Sequence, residues 1–147
     1  MEEKGLFTKG QKVEVTDDDE GLRDAWFTAK IIEISPTRAG KILVEYDTLF
    51  VDEEGSNRLR EAVGLSMVRP SPPSLPTHSF QQSQIVDAFI NDGWWKGKIS
   101  CVYKNLTCMV YFPIWNERQK FEVEQLRVHQ EWVNGRWVCP HEIVSPL

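Results

Sequence analysis

An internal repeat limits the fold of this chain more than any other feature of the sequence. Four short blocks occur twice and in the same order, with shorter loops between the blocks of the second copy. The matching pairs are residues 12–15 (KVEV) with 85–88 (IVDA), 25–31 with 93–99, 42–46 with 108–112, and 67–69 with 125–127. A repeat of this kind predicts tandem units of one structural type. Because the chain has 147 residues, each unit has roughly 60 to 70 residues, the size of a small domain.

The repeated blocks have the composition of β-strands. They are rich in β-branched and aromatic residues, and turn signals separate them. The sequence Asn91-Asp92-Gly93 favours a turn, and Asn134-Gly135 between alternating residues predicts a hairpin. Within the first unit, residues 59–63 predict a helical turn and residues 47–57 predict a loop. Because little of the chain has a period of 3.6 residues, we predict an all-β fold of two small barrels packed as a tandem pair.

A proline-rich segment separates the two predicted units. It contains Pro70, Pro72, Pro73 and Pro76, and such segments are extended and semi-rigid. We therefore expect one domain at residues 8–70 and a second at residues 80–140, joined by a linker at residues 71–79.

The charge distribution argues against some classes of partner. The net charge is −5, with 15 Asp and Glu against 10 Lys and Arg in residues 1–70, and seven of each kind in residues 71–147. A protein that binds the nucleic-acid backbone needs Lys and Arg to displace counterions, so nucleic acid is not the expected partner. Acidic charge beside clustered aromatic residues suits a cationic partner. No apolar stretch reaches the ~20 residues of a membrane span, so no membrane interaction is expected.

The residues that usually carry catalysis or bind metals stand in no recognisable pattern. His78, His129 and His141 lack a nucleophile or a second ligand pair at zinc spacing, and the three cysteines form no CxxC pair. The sequence therefore indicates a binding protein rather than an enzyme. We expect it to act as a monomer without a metal or other cofactor.

Several spaced motifs resemble those of the plant Agenet domain, a member of the Tudor-like royal family of small five-stranded barrels. In the first unit they are residues 10–15 (GQKVEV), 25–29 (AWFTA), 44–46 (VEY) and 69–70 (RP). In the second they are residues 86–97 (VDAFINDGWWKG), 126–132 (LRVHQEW) and 135–138 (GRWV). This resemblance covers residues 8–138 and implies a tandem Agenet pair. It also implies a nuclear reader of methylated lysine on the histone H3 tail, with dimethylated lysine 9 as the best candidate, linked to heterochromatin and gene silencing.

Family members of this kind hold the methylated ammonium in an aromatic cage, because the group keeps its charge but loses hydrogen-bond donors and hydration. The second unit has four candidates at the positions that Tudor-like cages use, and Trp94 is a fifth candidate if Trp95 is buried. The four are Phe89, Trp95, Phe112 and Trp115. Successive side chains of a strand point to opposite faces, so Trp94 and Trp95 cannot both be buried, and which of them is exposed stays open. The two phenylalanines suit the core equally well.

Charged residues complete both predicted sites. In the second unit, Asp92 or Glu117 could accept a hydrogen bond from a mono- or dimethylammonium proton. The first unit has an alternative cage of Phe27, Tyr46 and Phe50, which is incomplete because its first-strand position is not aromatic. Its acidic residues are predicted to hold unmodified Arg or Lys of the same tail through charge-assisted hydrogen bonds. They are Asp17, Asp18, Asp19, Glu20, Asp47 and Asp52.

Two other classes of function stay open. Small barrels can stack nucleic-acid bases on aromatic rings, and an RNA-binding module would show salt-dependent binding that is lost on mutation of Lys96 and Lys98. A scaffold for an unmethylated protein would bind methylated and unmethylated peptides equally, and Trp115→Ala would leave its binding unchanged.

Overall fold

The chain divides into two compact units, residues 1–71 and residues 72–147. The computed structural model describes residues 7–17, 25–34, 40–75 and 79–139. These described residues form twelve β-strands and two single-turn 3-10 helices, and they contain no α-helix. None of their helices is long and apolar enough to cross a membrane.

Unit 1 is a strongly bent antiparallel sheet of five strands. Along the sheet the order is β4–β3–β2–β1–β5. The strands are β1 (Lys12–Val15), β2 (Ala25–Ile34), β3 (Lys41–Phe50), β4 (Arg58–Gly64) and β5 (Val68–Pro70). Alternation along each strand puts every second side chain inside. The interior therefore holds Val13, Ala29, Ile31, Ile42, Val44 and Val68, each at most 5% exposed.

Strands β3 and β4 correct two sequence-based predictions about unit 1. The helical turn predicted at residues 59–63 is extended strand, and the predicted loop after Tyr46 begins only beyond Phe50. Residues of β4 pair with β3 from Lys41↔Gly64 to Glu45↔Arg60. Pairing to a neighbouring strand therefore overrides the local helix-compatible composition of this segment. The helical turn that does form is the 3-10 turn Leu65–Met67, one step further along the chain.

Unit 2 repeats the same topology with the strand order β9–β8–β7–β6–β10. Its strands are β6 (Ile85–Ile90), β7 (Gly93–Val102), β8 (Thr107–Phe112), β9 (Glu117–Glu122) and β10 (Leu126–Val128). The interior holds Val86, Ala88, Ile99, Cys108, Val110, Phe121 and Leu126. The prediction of an all-β fold with two five-stranded Tudor-like barrels is confirmed.

Corresponding β-bulges occur in both units. The pairing register shifts between Ile31 and Glu33 in β2, and between Ile99 and Cys101 in β7. A bulge bends the strand that carries it. Each ten-residue strand can therefore pair with the first strand of its unit at one end and with the third strand at the other, which wraps the sheet around the core.

An ion pair with a buried carboxylate joins the first and last strands of each unit. In unit 1, Arg69 on β5 donates to Glu14 on β1 at 2.8 Å, and both residues are at most 2% exposed. In unit 2, Arg127 on β10 donates to Asp87 on β6 at 2.9 Å. Each guanidinium also lies over a tryptophan ring at the start of the second strand, at 3.8 Å in unit 1 and 4.3 Å in unit 2. The closing strands are therefore fixed by charge as well as by backbone pairing.

Unit 2 also contains the predicted C-terminal hairpin, β11 (Glu131–Val133) and β12 (Arg136–Val138). Its turn residues Asn134 and Gly135 have φ values of 52° and 77°, as a two-residue hairpin turn requires. Trp132 and Trp137 are directly opposed, and their ring centroids are 5.1 Å apart. Part of the predicted linker lies against unit 2, since the side chain of Gln130 donates to the Pro73 carbonyl at 3.0 Å.

Candidate functional site

A tight hairpin at the start of unit 2 determines where the two adjacent tryptophans point. Ile90 pairs with Gly93, so only Asn91 and Asp92 lie in the turn, and both have positive φ values, 52° and 68°. This geometry is that of a two-residue type I′ turn, which suits Asn and Asp. Because the turn fixes the register, Ala88 opposes Trp95. Trp95 therefore faces the interior and is 4% exposed.

Phe112 lies beside Trp95 because the neighbouring strand leaves space for it. A Cβ atom at Gly97 would be 3.2 Å from the Phe112 ring and 2.5 Å from the Val110 side chain. Glycine is therefore the residue that lets the end of β8 approach β7 this closely. Phe112 is 1% exposed, and its ring packs edge-on against Phe121 with centroids 5.8 Å apart.

Trp115 is placed by the four-residue turn between β8 and β9. The Trp115 amide donates to the Phe112 carbonyl at 3.2 Å, and Asn116 takes a positive φ of 54°. The Tyr111 hydroxyl bonds to the Asn116 side chain at 3.0 Å. These contacts hold the turn so that the half-buried Trp115 lies over Trp95 and Phe112.

Trp95, Phe112 and Trp115 form a three-ring cluster. The Trp95–Trp115 and Phe112–Trp115 centroids are 4.7 Å and 5.0 Å apart, with interplanar angles of 44° and 52°. These are distances of direct ring contact. An ammonium group therefore has no space between the rings in this arrangement, and it could enter only if Trp115 moved away on its turn.

The structure separates the other two aromatic candidates of unit 2 from this cluster. Phe89 and Trp94 oppose each other on the other face of the β6–β7 hairpin, with centroids 5.2 Å apart. Arg127 lies over the Trp94 ring at 4.3 Å. Trp94 is thus the half-buried tryptophan of the pair, and it supports the ion pair between Arg127 and Asp87. The five predicted cage residues therefore form two groups, of three and of two.

The polar candidates of unit 2 occupy different places. Glu117 begins β9 and is the cross-strand partner of Phe112. Paired residues of adjacent strands share a face, so the Glu117 carboxylate stands on the side of the three-ring cluster. Asp92 is exposed in the turn that precedes β7. Both carboxylates are accessible to a charged ligand.

Unit 1 has an open cavity at the corresponding position. Phe27 and Tyr46 take the places of Trp95 and Phe112, because Phe27 opposes Val15 and Tyr46 opposes Ala29. Leu49 follows three residues after Tyr46, as Trp115 follows Phe112. The cavity has a volume of about 470 Å³, and we call it the unit 1 cavity. Its lining includes Thr16, Asp17, Phe27, Tyr46, Leu49, Glu61 and Met67.

Two carboxylates give the unit 1 cavity its negative character. The Tyr46 hydroxyl donates to Glu61 at 2.6 Å. Burial, the hydrogen bond and charge of Glu61, and the charge of Asp17 together raise the pKa of Tyr46 well above its ordinary value of 10.0. Tyr46 is therefore a neutral donor at physiological pH. The cavity combines two aromatic rings with two acidic groups, which suits a cationic side chain.

Glu61 was not predicted from the sequence. Its segment was assigned to a helical turn, and only the strand register of β4, where Glu61 pairs with Val44, brings it to the inner side of the sheet. The alternating pattern of Leu59, Glu61 and Val63 was the available signal.

The remaining acidic and aromatic candidates of unit 1 have other surroundings. Asp47 forms an ion pair with Lys12 at 2.8 Å. Asp52 accepts hydrogen bonds from Ser56 and Asn57 within its own loop, and these lower its pKa. Phe50 is 39% exposed and lies under the Arg58 guanidinium, 5.8 Å away, outside the lining of the unit 1 cavity. The predicted tail-binding residues Asp18, Asp19 and Glu20 lie outside the described residues.

Unit 2 contains one polar cluster that sequence reasoning missed. His129 is 4% exposed and bonds to Asp87 through Nδ1 at 2.7 Å and to Glu131 through Nε2 at 3.0 Å. The motif LRVHQEW contains this histidine, but a histidine alone gives no sign of its partners. In the described residues, no group of three or more His, Cys, Asp or Glu is arranged to hold a metal ion.

Comparisons with known proteins agree with this architecture. A model of the Agenet domain family matches residues 10–73. Protein AGENET DOMAIN (AGD)-CONTAINING P1 of Arabidopsis thaliana is 42% identical over 137 residues, which are 92% of this chain and 26% of that protein. DUF724 domain-containing protein 3 of the same plant is 35% identical over 90% of this chain and 20% of its own length. The chain thus spans about a quarter or less of these curated relatives.

Solved structures extend the similarity to both units. The crystal structure of Arabidopsis thaliana AGDP1 AGD34 superimposes with a TM-score of 0.86 and 36% identity, covering 93% of this chain and 92% of that one. The crystal structure of ADCP1 tandem Agenet domain 3-4 gives a TM-score of 0.82 and 34% identity, with coverage of 93% and 90%. Both similarities span the complete pair of barrels.

Proposed function

Because this chain belongs to the Agenet domain family, we propose that it is a nuclear chromatin reader that binds the histone H3 tail at dimethylated lysine 9. Agenet domains are members of the Tudor-like royal family, whose modules bind chromatin-related partners such as methylated histone peptides. They are binding modules rather than enzymes. The proposal adds the histone, the lysine, the methylation state, the nuclear location and the residues that make the contact.

The observation that carries the proposal is the three-ring cluster of Trp95, Phe112 and Trp115. Three aromatic side chains converge where β8 ends, and one of them stands on a turn rather than on a strand. A methylated ammonium is attracted to ring faces by cation–π and dispersion forces, while its methyl groups prevent the hydrogen bonds of an ordinary salt bridge. Glu117 then accepts the single proton that a dimethylammonium retains.

Binding at the three-ring cluster requires Trp115 to leave its contacts with the other two rings. Trp115 is half-buried, whereas Trp95 and Phe112 are at most 4% exposed, so Trp115 is the ring that can move without opening the core. The closed arrangement reduces the apparent affinity by the fraction of molecules that are open. A ligand that replaces ring–ring contacts by cation–ring contacts shifts this equilibrium toward the open form.

The unit 1 cavity fits a different cation. It has two rings instead of three, and Asp17 and Glu61 supply two acceptors. An unmodified lysine or arginine keeps all its donors and gains most from charge-assisted hydrogen bonds. We therefore assign the unmodified basic residues of the tail to this cavity and the methylated lysine to the three-ring cluster.

Calorimetric titration of the chain with two H3 tail peptides tests the proposal. One peptide is unmodified and the other is dimethylated at lysine 9. We expect at least tenfold preference for the methylated peptide, about 1.4 kcal/mol, and we expect Trp115→Ala to abolish the preference. Tryptophan fluorescence should change on binding of the methylated peptide, because Trp115 leaves its ring contacts.

Trp132→Ala is the matched control, since it removes a tryptophan outside the cluster and should preserve the preference. A preference that survives Trp115→Ala but disappears in Tyr46→Ala would transfer the methyl-lysine site to the unit 1 cavity. Equal binding of both peptides would contradict recognition of the methyl group and would favour a scaffold for unmethylated protein.

A further inference from the structure

The outer face of the sheet in unit 2 carries a group of exposed cations. Lys98, Tyr111 and Arg118 lie side by side across β7, β8 and β9, because Tyr111 pairs with both neighbours. Lys120 is two residues further along β9 and pairs with Met109 on the same face. All three cations are exposed. We call Lys98, Tyr103, Tyr111, Arg118 and Lys120 the cation face.

Aromatic rings, not carboxylates, accompany these cations. The Arg118 guanidinium lies over the Tyr111 ring at 5.4 Å, and the Lys120 ammonium lies over the Tyr103 ring at 5.0 Å. Within the described part of the chain, no carboxylate forms an ion pair with Lys98, Arg118 or Lys120. Cation–π contacts orient a charged group without neutralising it. The full positive charge is therefore available to a ligand.

Unit 1 shows what the same face looks like when the charges are compensated. The row equivalent to Lys98, Tyr111 and Arg118 is Lys30, Glu45 and Arg60, with the same strand pairing. Glu45 forms an ion pair with Arg60 at 3.0 Å.

The next row of residues on this face is also more positive in unit 2 than in unit 1. Unit 1 has Glu33, Leu43 and Ala62, while unit 2 has Cys101, Met109 and Lys120. Unit 2 thus has Tyr111 and Cys101 in place of Glu45 and Glu33, and it gains Lys120. These changes convert a face with compensated charges into a positive one.

We propose that the cation face of unit 2 binds the phosphate backbone of duplex DNA without sequence preference. This contact is separate from recognition of a methylated peptide, because the cation face and the three-ring cluster lie on opposite faces of the β7–β8–β9 sheet. Tyr111 and Phe112 are adjacent on β8 and point to opposite sides. The balanced overall charge of residues 71–147 conceals the face, because Glu122 lies at its margin and the other acidic residues that the structure describes in unit 2 lie elsewhere in the fold.

The spacing of the cations fits a row of phosphates. Neighbouring strands lie about 4.8 Å apart, so Lys98 and Arg118 are separated by about 10 Å across β8. Arg118 and Lys120 are about 7 Å apart along β9. These separations are of the same order as those between nearby phosphates of one DNA strand, which carries a charge every ~3.4 Å of axis, so the three long side chains can each reach a phosphate.

The tyrosines favour duplex DNA over single strands. A protein that binds single strands offers open aromatic faces on which bases stack. Here Arg118 and Lys120 lie over the ring faces of Tyr111 and Tyr103, so the rings support cations instead of offering a platform for bases.

Fluorescence anisotropy with a labelled duplex of mixed sequence, in the absence of histone peptide, tests this proposal. The full chain is titrated at several NaCl concentrations between 50 and 200 mM. Contacts to three phosphates give a slope of log K against log salt of roughly −2.7, which is about a 40-fold loss of affinity over this range. The double variant Arg118→Gln and Lys120→Gln should leave one contact, with a slope of roughly −0.9 and only a 3- to 4-fold loss.

Two matched variants isolate the charge of the face. Lys30→Gln with Arg60→Gln changes the equivalent positions of unit 1, and we expect the slope to stay that of the original chain. Tyr111→Glu restores the unit 1 arrangement and should abolish binding at 50 mM salt, whereas Tyr111→Gln, of nearly the same shape but neutral, should retain it. Binding of methylated H3 peptide should be unchanged in Arg118→Gln with Lys120→Gln, so failure of either proposal can be recognised separately.

Three results would overturn the assignment. They are no duplex binding at 50 mM salt, a slope unaffected by the Arg118→Gln and Lys120→Gln double variant, or tighter binding to single-stranded DNA or RNA that is lost in Tyr111→Ala and Tyr103→Ala. The last result would mean that the rings stack bases, and a single strand would then be the partner.

Discussion

Replacement of Asp87 by asparagine should destabilise unit 2 more than any exposed charge substitution. Asp87 is 1% exposed, and its carboxylate has two partners. Arg127 Nε lies 2.9 Å from one carboxylate oxygen and His129 Nδ1 lies 2.7 Å from the other. Arg127 in turn lies over Trp94, and His129 bonds to Glu131 of the C-terminal hairpin. Asp87→Asn keeps the shape of the side chain but removes the negative charge on which this network depends.

The expected loss of stability is about 3–5 kcal/mol, because Asp87 is buried and its loss of charge breaks the ion pair with Arg127, whose side chain is only 19% exposed. A domain of roughly 70 residues has about 4–10 kcal/mol of total stability, so the variant should be close to unfolding at room temperature. With a urea m-value of about 1–1.5 kcal/mol/M for such a unit, the midpoint should fall by roughly 2–5 M.

Acid unfolding gives a second measure of the same charge. Burial by itself raises the pKa of Asp87, but the hydrogen bond and charge of His129 and the charge of Arg127 outweigh burial and hold the pKa below its ordinary value of 3.8. A carboxyl whose pKa is lowered by folding contributes stability above its ordinary pKa, and this contribution is lost as the pH falls through the lowered value. The original chain should therefore lose stability below about pH 4, and Asp87→Asn should lack this part of the acid dependence.

Urea unfolding followed by tryptophan fluorescence is the appropriate assay, because five of the six tryptophans belong to unit 2. Asp47→Asn is the matched control, and its urea unfolding is monitored by circular dichroism. Asp47 makes the same kind of ion pair with Lys12, but the two side chains are 32% and 57% exposed, and such pairs contribute at most about 1 kcal/mol. A loss below 1 kcal/mol in Asp87→Asn, or a loss equal to that of Asp47→Asn, would refute the reasoning.

Three further substitutions have specific expected outcomes. Gly97→Ala would put a Cβ atom 2.5 Å from the Val110 side chain, so we expect about 1–3 kcal/mol of destabilisation in urea unfolding, together with loss of methyl-peptide binding. Tyr46→Phe should remove from an ultraviolet titration a tyrosine that ionises above its ordinary pKa of 10.0, since burial and acidic neighbours raise the pKa of Tyr46. Trp132→Ala removes the contact between two rings whose centroids are 5.1 Å apart, which should lower the stability of the hairpin by about 0.5–1.5 kcal/mol. Amide exchange of residues 131–138 should then accelerate while that of β6–β10 stays constant. Equal acceleration throughout unit 2 would contradict this.

The fold could be predicted because its signals are local and occur twice. Turn residues with positive φ, such as Asn91 and Asn134, mark the hairpins in the sequence itself. Alternation identified the strands, and the repeat supported four strands of each unit by a counterpart. Strand β4 escaped because its stability comes from pairing with β3 and it has no counterpart among the repeated blocks, so its local signal was the short alternation of Leu59, Glu61 and Val63. Its composition alone was compatible with a helical turn.

The candidate site could be predicted only in part, for a related reason. The residue types of the cage were readable, but their grouping depends on strand register. Register puts Trp95 with Phe112 and Trp115, and it puts Trp94 with Phe89 on the other face. Contacts between distant segments were beyond reach, including Glu61 with Tyr46 and His129 with Asp87. The residue types could be read from the sequence, but which of them lie together could not.

The two units show how one scaffold acquires different binding chemistry. The position three residues after the last inner aromatic residue of the third strand is Leu49 in unit 1 and Trp115 in unit 2, which changes an open acidic cavity into a closed group of three rings. The outer position in the middle of the same strand is Glu45 in unit 1 and Tyr111 in unit 2, which changes a compensated face into a positive one. Neither exchange touches the ion pairs that join first and last strands. Because stability and recognition depend on different positions, the barrels can diverge in ligand while keeping one fold.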